Sequence, residues 1–182
     1  MQIPLVMTII GNDRTGLVRS LAGIVAAHGG NWLESRMCRL GGQFAGILRI
    51  HVPAENQAAL TSALNALQSQ GLNVVVHADP APAEAGAGEG KITALTLLGH
   101  DRPGIVRDIT SALARHGVNV EELVSECVSA PMTGETLFQA RVRVRLPEHC
   151  RVAVLREELE NIAADLMVDV SFAELDEQEV GS

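Results

Sequence analysis

Gly11-Asn12-Asp13-Arg14-Thr15-Gly16-Leu17-Val18-Arg19 is matched 88 residues later by Gly99-His100-Asp101-Arg102-Pro103-Gly104-Ile105-Val106-Arg107. At the same offset Ala26, His28, Gly29 and Asn31 meet Ala114, His116, Gly117 and Asn119, so ten of the 21 positions from Gly11 to Asn31 are identical, beyond what chance gives. A shift of six residues, from an insertion around Ser129 to Glu135, then aligns Phe44 through Pro53 with Phe138 through Pro147. Self-similarity at a fixed period sets the architecture before any single element is read. Between the copies, Asp79 to Gly90 holds four Ala, two Pro, three Gly and three acids without apolar periodicity, which is linker composition. The expected organisation is a first domain at residues 1–78, a linker at 79–91, a second domain at 92–175 and an acidic tail at 176–182.

Each copy predicts the same order of elements. Leu5 to Ile10 and Ile92 to Leu98 are short, mostly apolar runs ending at glycine, as central strands require. Leu17, Leu21 and Ile24, and Ile105, Ile109 and Ala112, recur at spacings of four and three, one face of a helix. Both helices end at His-Gly, with glycine where a left-handed residue follows the last turn. Second strands are expected from about Asn31 to Arg39 and Asn119 to Val128. In the third strand Phe138, Ala140, Val142, Val144 and Leu146 alternate with Gln139, Arg141, Arg143 and Arg145, so one face is core and the other open. Helices carrying Leu60, Leu64 and Leu67, and Leu155, Leu159 and Ile162, follow. Leu72 to His77 and Leu166 to Phe172 close the copies as fourth strands. The order βαββαβ, twice, implies an α+β chain of two tandem ferredoxin-like domains, each an antiparallel sheet with its helices on one face.

Composition narrows the function. With 22 Asp+Glu against 14 Lys+Arg, the formal net charge of the 182 residues is −8, and three Phe, one Trp and no Tyr leave few rings to stack on bases. Direct nucleic-acid binding is disfavoured on both counts. Three cysteines, Cys38, Cys127 and Cys150, without CxxC or Cys/His clustering argue against a disulfide framework and a structural zinc. No signal peptide and no apolar run of membrane-spanning length occurs, so a soluble, cytoplasmic protein without membrane contact is expected. No nucleophile–base turn, HExxH spacing or phosphate loop occurs either, so the expectation is no enzyme, no cofactor and no metal.

The duplicated turn is the candidate site. A glycine-rich turn opening a helix presents free N–H groups and the positive dipole end, which favour a carboxylate or phosphate. Asp13 and Asp101 can cap the helix or accept from a ligand's ammonium, and Pro103 fits a helix start. Spacing alone is equally met by a well-built turn that binds nothing. His28 and His116 suit helix termini better than ligand roles. Trp32 is expected in the core. The Arg141, Arg143 and Arg145 row suits a partner or inter-domain surface, with a local nucleic-acid patch as the competing reading.

The paired Asp-Arg-Thr-Gly-Leu-Val and Asp-Arg-Pro-Gly-Ile-Val turns, each followed by a helix ending His-Gly and by Asn-Trp or Asn-Val, resemble the ACT domain. Two copies with no catalytic or helix-turn-helix domain resemble the family of the glycine cleavage system transcriptional repressor. The resemblance covers nearly the whole chain outside linker and tail. It implies a non-enzymatic regulator with a small effector, an amino acid with glycine as first candidate, held between ACT domains near this turn and the start of the second strand. Carried over by position, the ligand-binding residues are Gly11, Asn12, Asp13 and Asn31, and His100, Asp101, Gly104 and Asn119. It further implies a transcription-activator protein as partner and a homo-oligomer. Thr15 stands where the second copy has Pro103, and Asn12 where it has His100, so the two sites need not be equivalent.

Overall fold

The computed structural model describes residues 1–79, 90–130 and 134–174, without the side chains of 173 and 174. The chain divides into two compact units between Gly86 and Ala87. The first contains β1 (Gln2–Asn12), α1 (Leu17–Ala27), β2 (Asn31–Leu40), β3 (Gln43–Pro53), α2 (Gln57–Asn65) and β4 (Leu72–Ala78). Short 3-10 turns, Ala54–Asn56 and Ala66–Gln70, flank α2. The second repeats the order as β5 (Lys91–His100), α3 (Ile105–Arg115), β6 (Asn119–Ser129), β7 (Thr136–Leu146), α4 (Val152–Leu166) and β8 (Val168–Glu174). The sheets run β2-β3-β1-β4 and β6-β7-β5-β8, antiparallel throughout. This is the tandem ferredoxin-like architecture that the repeat implied.

Each unit has its own aliphatic core. In the first, Leu5, Met7 and Ile9 of β1 and Leu48, Ile50 and Val52 of β3 bury against Leu17, Leu21 and Val25 of α1 and Leu60 and Leu64 of α2. In the second, Leu95 and Leu97, then Phe138 to Leu146 at alternate positions, meet Ile105, Ile109, Ala112, Leu113, Leu155 and Leu159. The period of two in the strands and the spacing of three to four in the helices both aim at this layer, which is why both were legible. In α1 it is Val25 rather than Ile24 that is fully buried. Gly29 and Gly117, both at φ +68°, take the left-handed position after His28 and His116, as expected of helix ends.

Three boundaries differ from the sequence reading. Leu166 belongs to α4, not to a fourth strand: the helix runs on until Met167 takes a left-handed conformation (φ +52°), and β8 starts at Val168. Lys91 opens β5, and Asp79 joins the first unit, its N–H reaching the Pro4 carbonyl at 3.3 Å and its carboxylate pairing with Arg49. Both ends of the expected linker are therefore ordered by domain contacts. The rest of the linker, residues 80–89, and the tail at 176–182 lie outside the described residues.

Candidate functional site

Each duplicated turn leaves a central strand and enters the first helix of its unit. Gly16 (φ +93°) and Gly104 (φ +102°) are the N-cap residues, in the left-handed region that glycine alone enters freely. Neither helix start has a side-chain cap. Asp13 and Asp101 do not cap, because each lies three residues before its N-cap glycine. Pro103 precedes the cap and does not occupy the first helical position. The backbone of each turn is tied instead to the neighbouring hairpin, Asp13 N–H to Gly42 O at 2.9 Å and Asp101 N–H to Thr136 O at 3.2 Å.

The leading glycines have a packing reason. A Cβ on Gly11 would stand 2.3 Å from the Gly71 carbonyl oxygen, and one on Gly99 would stand 2.4 Å from that of Met167. The chain entering β4 or β8 lies directly against them.

The side chains of the two turns differ. In the first, Gln43 Nε2 donates to Asn12 Oδ1 at 2.8 Å, Arg39 Nε meets Asp13 Oδ2 at 2.6 Å, and Arg14 Nη2 donates to Gln70 Oε1 at 3.1 Å. In the second, His100 Nδ1 is 3.9 Å from Glu135 Oε2, and Arg102 Nη2 is 3.6 Å from the Met167 sulfur. The Asp101 side chain is exposed and has no side-chain partner among the described residues. An uncapped helix start beside a spare carboxylate can take a zwitterion, its carboxylate toward the N–H groups and its ammonium toward Asp101.

The two asparagines are not in these turns. Asn31 lies opposite His51 and through it Pro4, eight residues along β1 from Asn12. Asn119 lies opposite Arg145 and through it Ile92, eight residues from His100. At about 3.3 Å per residue this is about 26 Å, the length of the sheet. Within one domain the fold brings Gly11, Asn12 and Asp13 together, and His100, Asp101 and Gly104 together, and keeps Asn31 and Asn119 at the far end.

The arginine row is largely occupied. Arg141, Arg143 and Arg145 do alternate with buried residues of β7, but Arg145 Nε donates to Glu121 Oε1 at 3.0 Å and Arg143 Nη1 is 3.9 Å from Glu122 Oε2, both on β6. Asn119 Nδ2 donates to the same Glu121 oxygen at 2.9 Å, and this bond, aided by Arg145, holds the Glu121 carboxyl below its ordinary range. His28 and His116 are helix-end residues: His28 Nδ1 is 2.8 Å from Ile24 O, and His116 Nε2 is 2.7 Å from Glu158 Oε2. Arg115 and His116 together hold Glu158 below its usual range. Trp32 packs partly buried against the first core.

Two features escaped the sequence reading. Arg39 reaches Asp13, a contact between residues 26 apart that no local pattern announces. The open face of the first sheet carries an apolar patch, Ile10, Ile47 and Val75, exposed by 52%, 55% and 44% around Thr8, with Arg36, Arg49 and His77 on the same face.

Comparison with known proteins bears on the same two units. An ACT domain model matches residues 4–77 and a second ACT domain model matches residues 93–149. The chain is a tandem ACT-domain protein. A UPF0237 protein of Methanopyrus kandleri is 42% identical over 77 residues, which is 42% of this chain and 79% of that protein. Among solved structures, an unknown protein from Galdieria sulphuraria superposes over 97% of this chain and 100% of its own at TM-score 0.81 and 28% identity. A proposed glycine cleavage system transcriptional repressor superposes over 96% of this chain and 99% of its own at TM-score 0.67 and 20% identity, a likeness of fold. Among the described residues no helix is long and apolar enough to cross a membrane, and no three His, Cys, Asp or Glu groups are arranged to hold a metal.

Proposed function

We propose that this tandem ACT protein is a non-enzymatic regulator that senses a free amino acid and controls transcription through a partner protein, without contacting DNA itself. The observation that carries the reading is the exposed Asp101 carboxylate, without a side-chain partner among the described residues, in the turn that leads to the glycine-capped start of α3, whose first turn also carries Asp108 paired with Arg107. Its groups complement an α-amino acid at both charged ends, and glycine is the first candidate by family. Such a ligand changes the arrangement of domains only as far as it prefers one arrangement. The apolar face around Ile10, Ile47 and Val75 suits a protein partner, a transcription activator by family, or a second copy of the chain. The pairing of Arg143 and Arg145 with acids of β6 and the −8 net charge fit nucleic acid poorly.

Calorimetric titration with each of the twenty amino acids tests the reading. Binding accompanied by a raised melting temperature supports it, since a ligand of the folded state stabilises that state by linkage. Asp101→Ala should abolish the strongest response. The competing reading is an ACT interaction module that senses nothing. It draws on the edge strands β2 and β6, ten and eleven residues long, whose free backbone groups can pair with another chain. Absence of heat and of stabilisation with all twenty would favour that module.

A further inference from the structure

Independently of any effector, we propose that the open face of the first sheet is a homodimer interface, covered by the same face of a second copy of this chain. β1 and β3 stand at the centre of that sheet, and their outward residues Val6, Thr8, Ile10, Ala45 and Ile47 form its middle. Val75 of β4 extends the patch beyond Thr8. Charge lies toward the outer strands, with Glu34 and Arg36 on β2 and His77 on β4. Arg49, the arginine of the two central strands, is already ion-paired with Asp79. An apolar middle with a charged border is the layout of a protein interface. The repeat supplies an internal control, because the second sheet has the same strand order and pairing. Where the first face carries Ile47, Ala45 and Val75, the second carries Arg141, Gln139 and Ser171. The fold itself therefore does not ask for apolar residues at these outward positions.

A second copy is the occupant because the face complements itself. A two-fold axis parallel to the strands lays β2 of one copy over β4 of the other, and β3 over β1. Aligned sheet packing keeps strand directions within about 30° of each other, as this axis does. Glu34 and His77 share one row of the sheet, with Arg49 and Val6 between them, so the rotation brings Glu34 of each copy over the partner's His77. The next row sets Ile47 over Thr8, and the row after it sets Ala45 over Ile10. With four strands about 4.8 Å apart and central strands rising about 3.3 Å per residue, the face measures about 19 Å by about 30 Å. Covering it buries about 550 Å² per copy, or about 1,100 Å² in the pair, the low end for a specific interface. The dimer is therefore expected to dissociate in the micromolar range.

Sedimentation velocity of the full-length chain, from about 1 to about 100 µM, tests this. A reversible monomer–dimer equilibrium is expected, and a monomer throughout that range would overturn the proposal, leaving the face to another protein. Ile47→Arg gives the first face the residue type that the second face already carries at Arg141, and it should weaken dimerisation about ten-fold or more by burying an unpaired charge. Melting curves confirm that the variant folds, and Val75→Ser carries the test if it does not. The control Val124→Lys, at a residue of the second sheet exposed by 61%, should leave the dimer unchanged. Glu34→Lys should weaken the dimer, and Glu34→Lys with His77→Glu should restore it, a rescue that only a partner presenting the same face can give. Dimerisation untouched by Ile47→Arg, or lost equally with Val124→Lys, would overturn the proposal, as would a double variant no stronger than Glu34→Lys. Amino-acid binding, read by calorimetry on the same variants, is a separate result, so a failed dimer and a failed effector reading are told apart.

Discussion

Replacing Gly99 with alanine should separate a packing role for the motif's first glycine from a ligand role. The added Cβ would lie 2.4 Å from the Met167 carbonyl oxygen and 2.6 Å from Val168 Cα, against 3.4 Å or more in ordinary contact. Relief requires the start of β8 to retreat by about 1 Å from a strand it pairs with from Thr93 to Gly99. Overpacking of this kind costs about 1–3 kcal/mol. Alanine's smaller unfolded-state entropy offsets about 0.4–1 kcal/mol; with a 2.4 Å approach to backbone belonging to the middle and upper part of the overpacking range, the net loss is about 1–2 kcal/mol. For a domain of this size that lowers its melting temperature by roughly 5–15 °C. Circular dichroism melts of the full chain read the shift. Gly23→Ala is the control: that site is helical, exposed and has nothing within 4 Å of a new Cβ, so the exchange should stabilise by about 0.5–1 kcal/mol. A Gly99→Ala chain melting within about 2 °C of the unmodified one would refute the reasoning. If it also lost amino-acid binding, the glycine would be serving ligand access.

Other expectations are independent of this one. Gly16→Ala places a Cβ at φ +93° with open space around it, so its cost is backbone strain alone, about 1 kcal/mol, read as a shift in denaturation midpoint; no shift would mean that the turn relaxes. Leu48→Ala, at a fully buried position of β3, should cost about 2–5 kcal/mol by chemical denaturation, and a loss below about 1 kcal/mol would contradict the core as described. Glu121 and Glu158 have folded values held below their ordinary 4.5, so their contribution to stability is present above that pH and is lost as pH falls through the lowered values. A Glu121→Gln/Glu158→Gln chain should therefore show a flatter stability curve below pH 4.5, and curves running parallel to the unmodified chain would show that these groups do not carry the acid sensitivity.

The sequence by itself determined the architecture. Ten identities in 21 positions revealed the repeat, alternation in β7 assigned the buried face, and helical spacing placed Leu21, Leu60, Ile109 and Leu155 beneath it. These signals are local, because side-chain direction within a strand or helix follows from a fixed period. The two turns were also legible, as a motif and as an ACT resemblance. What each turn holds was decided only by tertiary structure. Whether Asp13 meets a cation depends on the register of β2 against β3, and a bulge between Trp32 and Glu34 resets that register before Arg39 is reached. A shift of one residue turns every later side chain to the other face, so the pairing cannot be read along the chain. The packing reason for Gly11 and Gly99 came only with strand pairing, which brings the Gly71 and Met167 carbonyls against them. That Asn31 and Asn119 stand at the far end of the sheet from the turns came only from the strand register. Contacts between residues distant in sequence are fixed by register and packing, and those two quantities exist only once the sheet has formed.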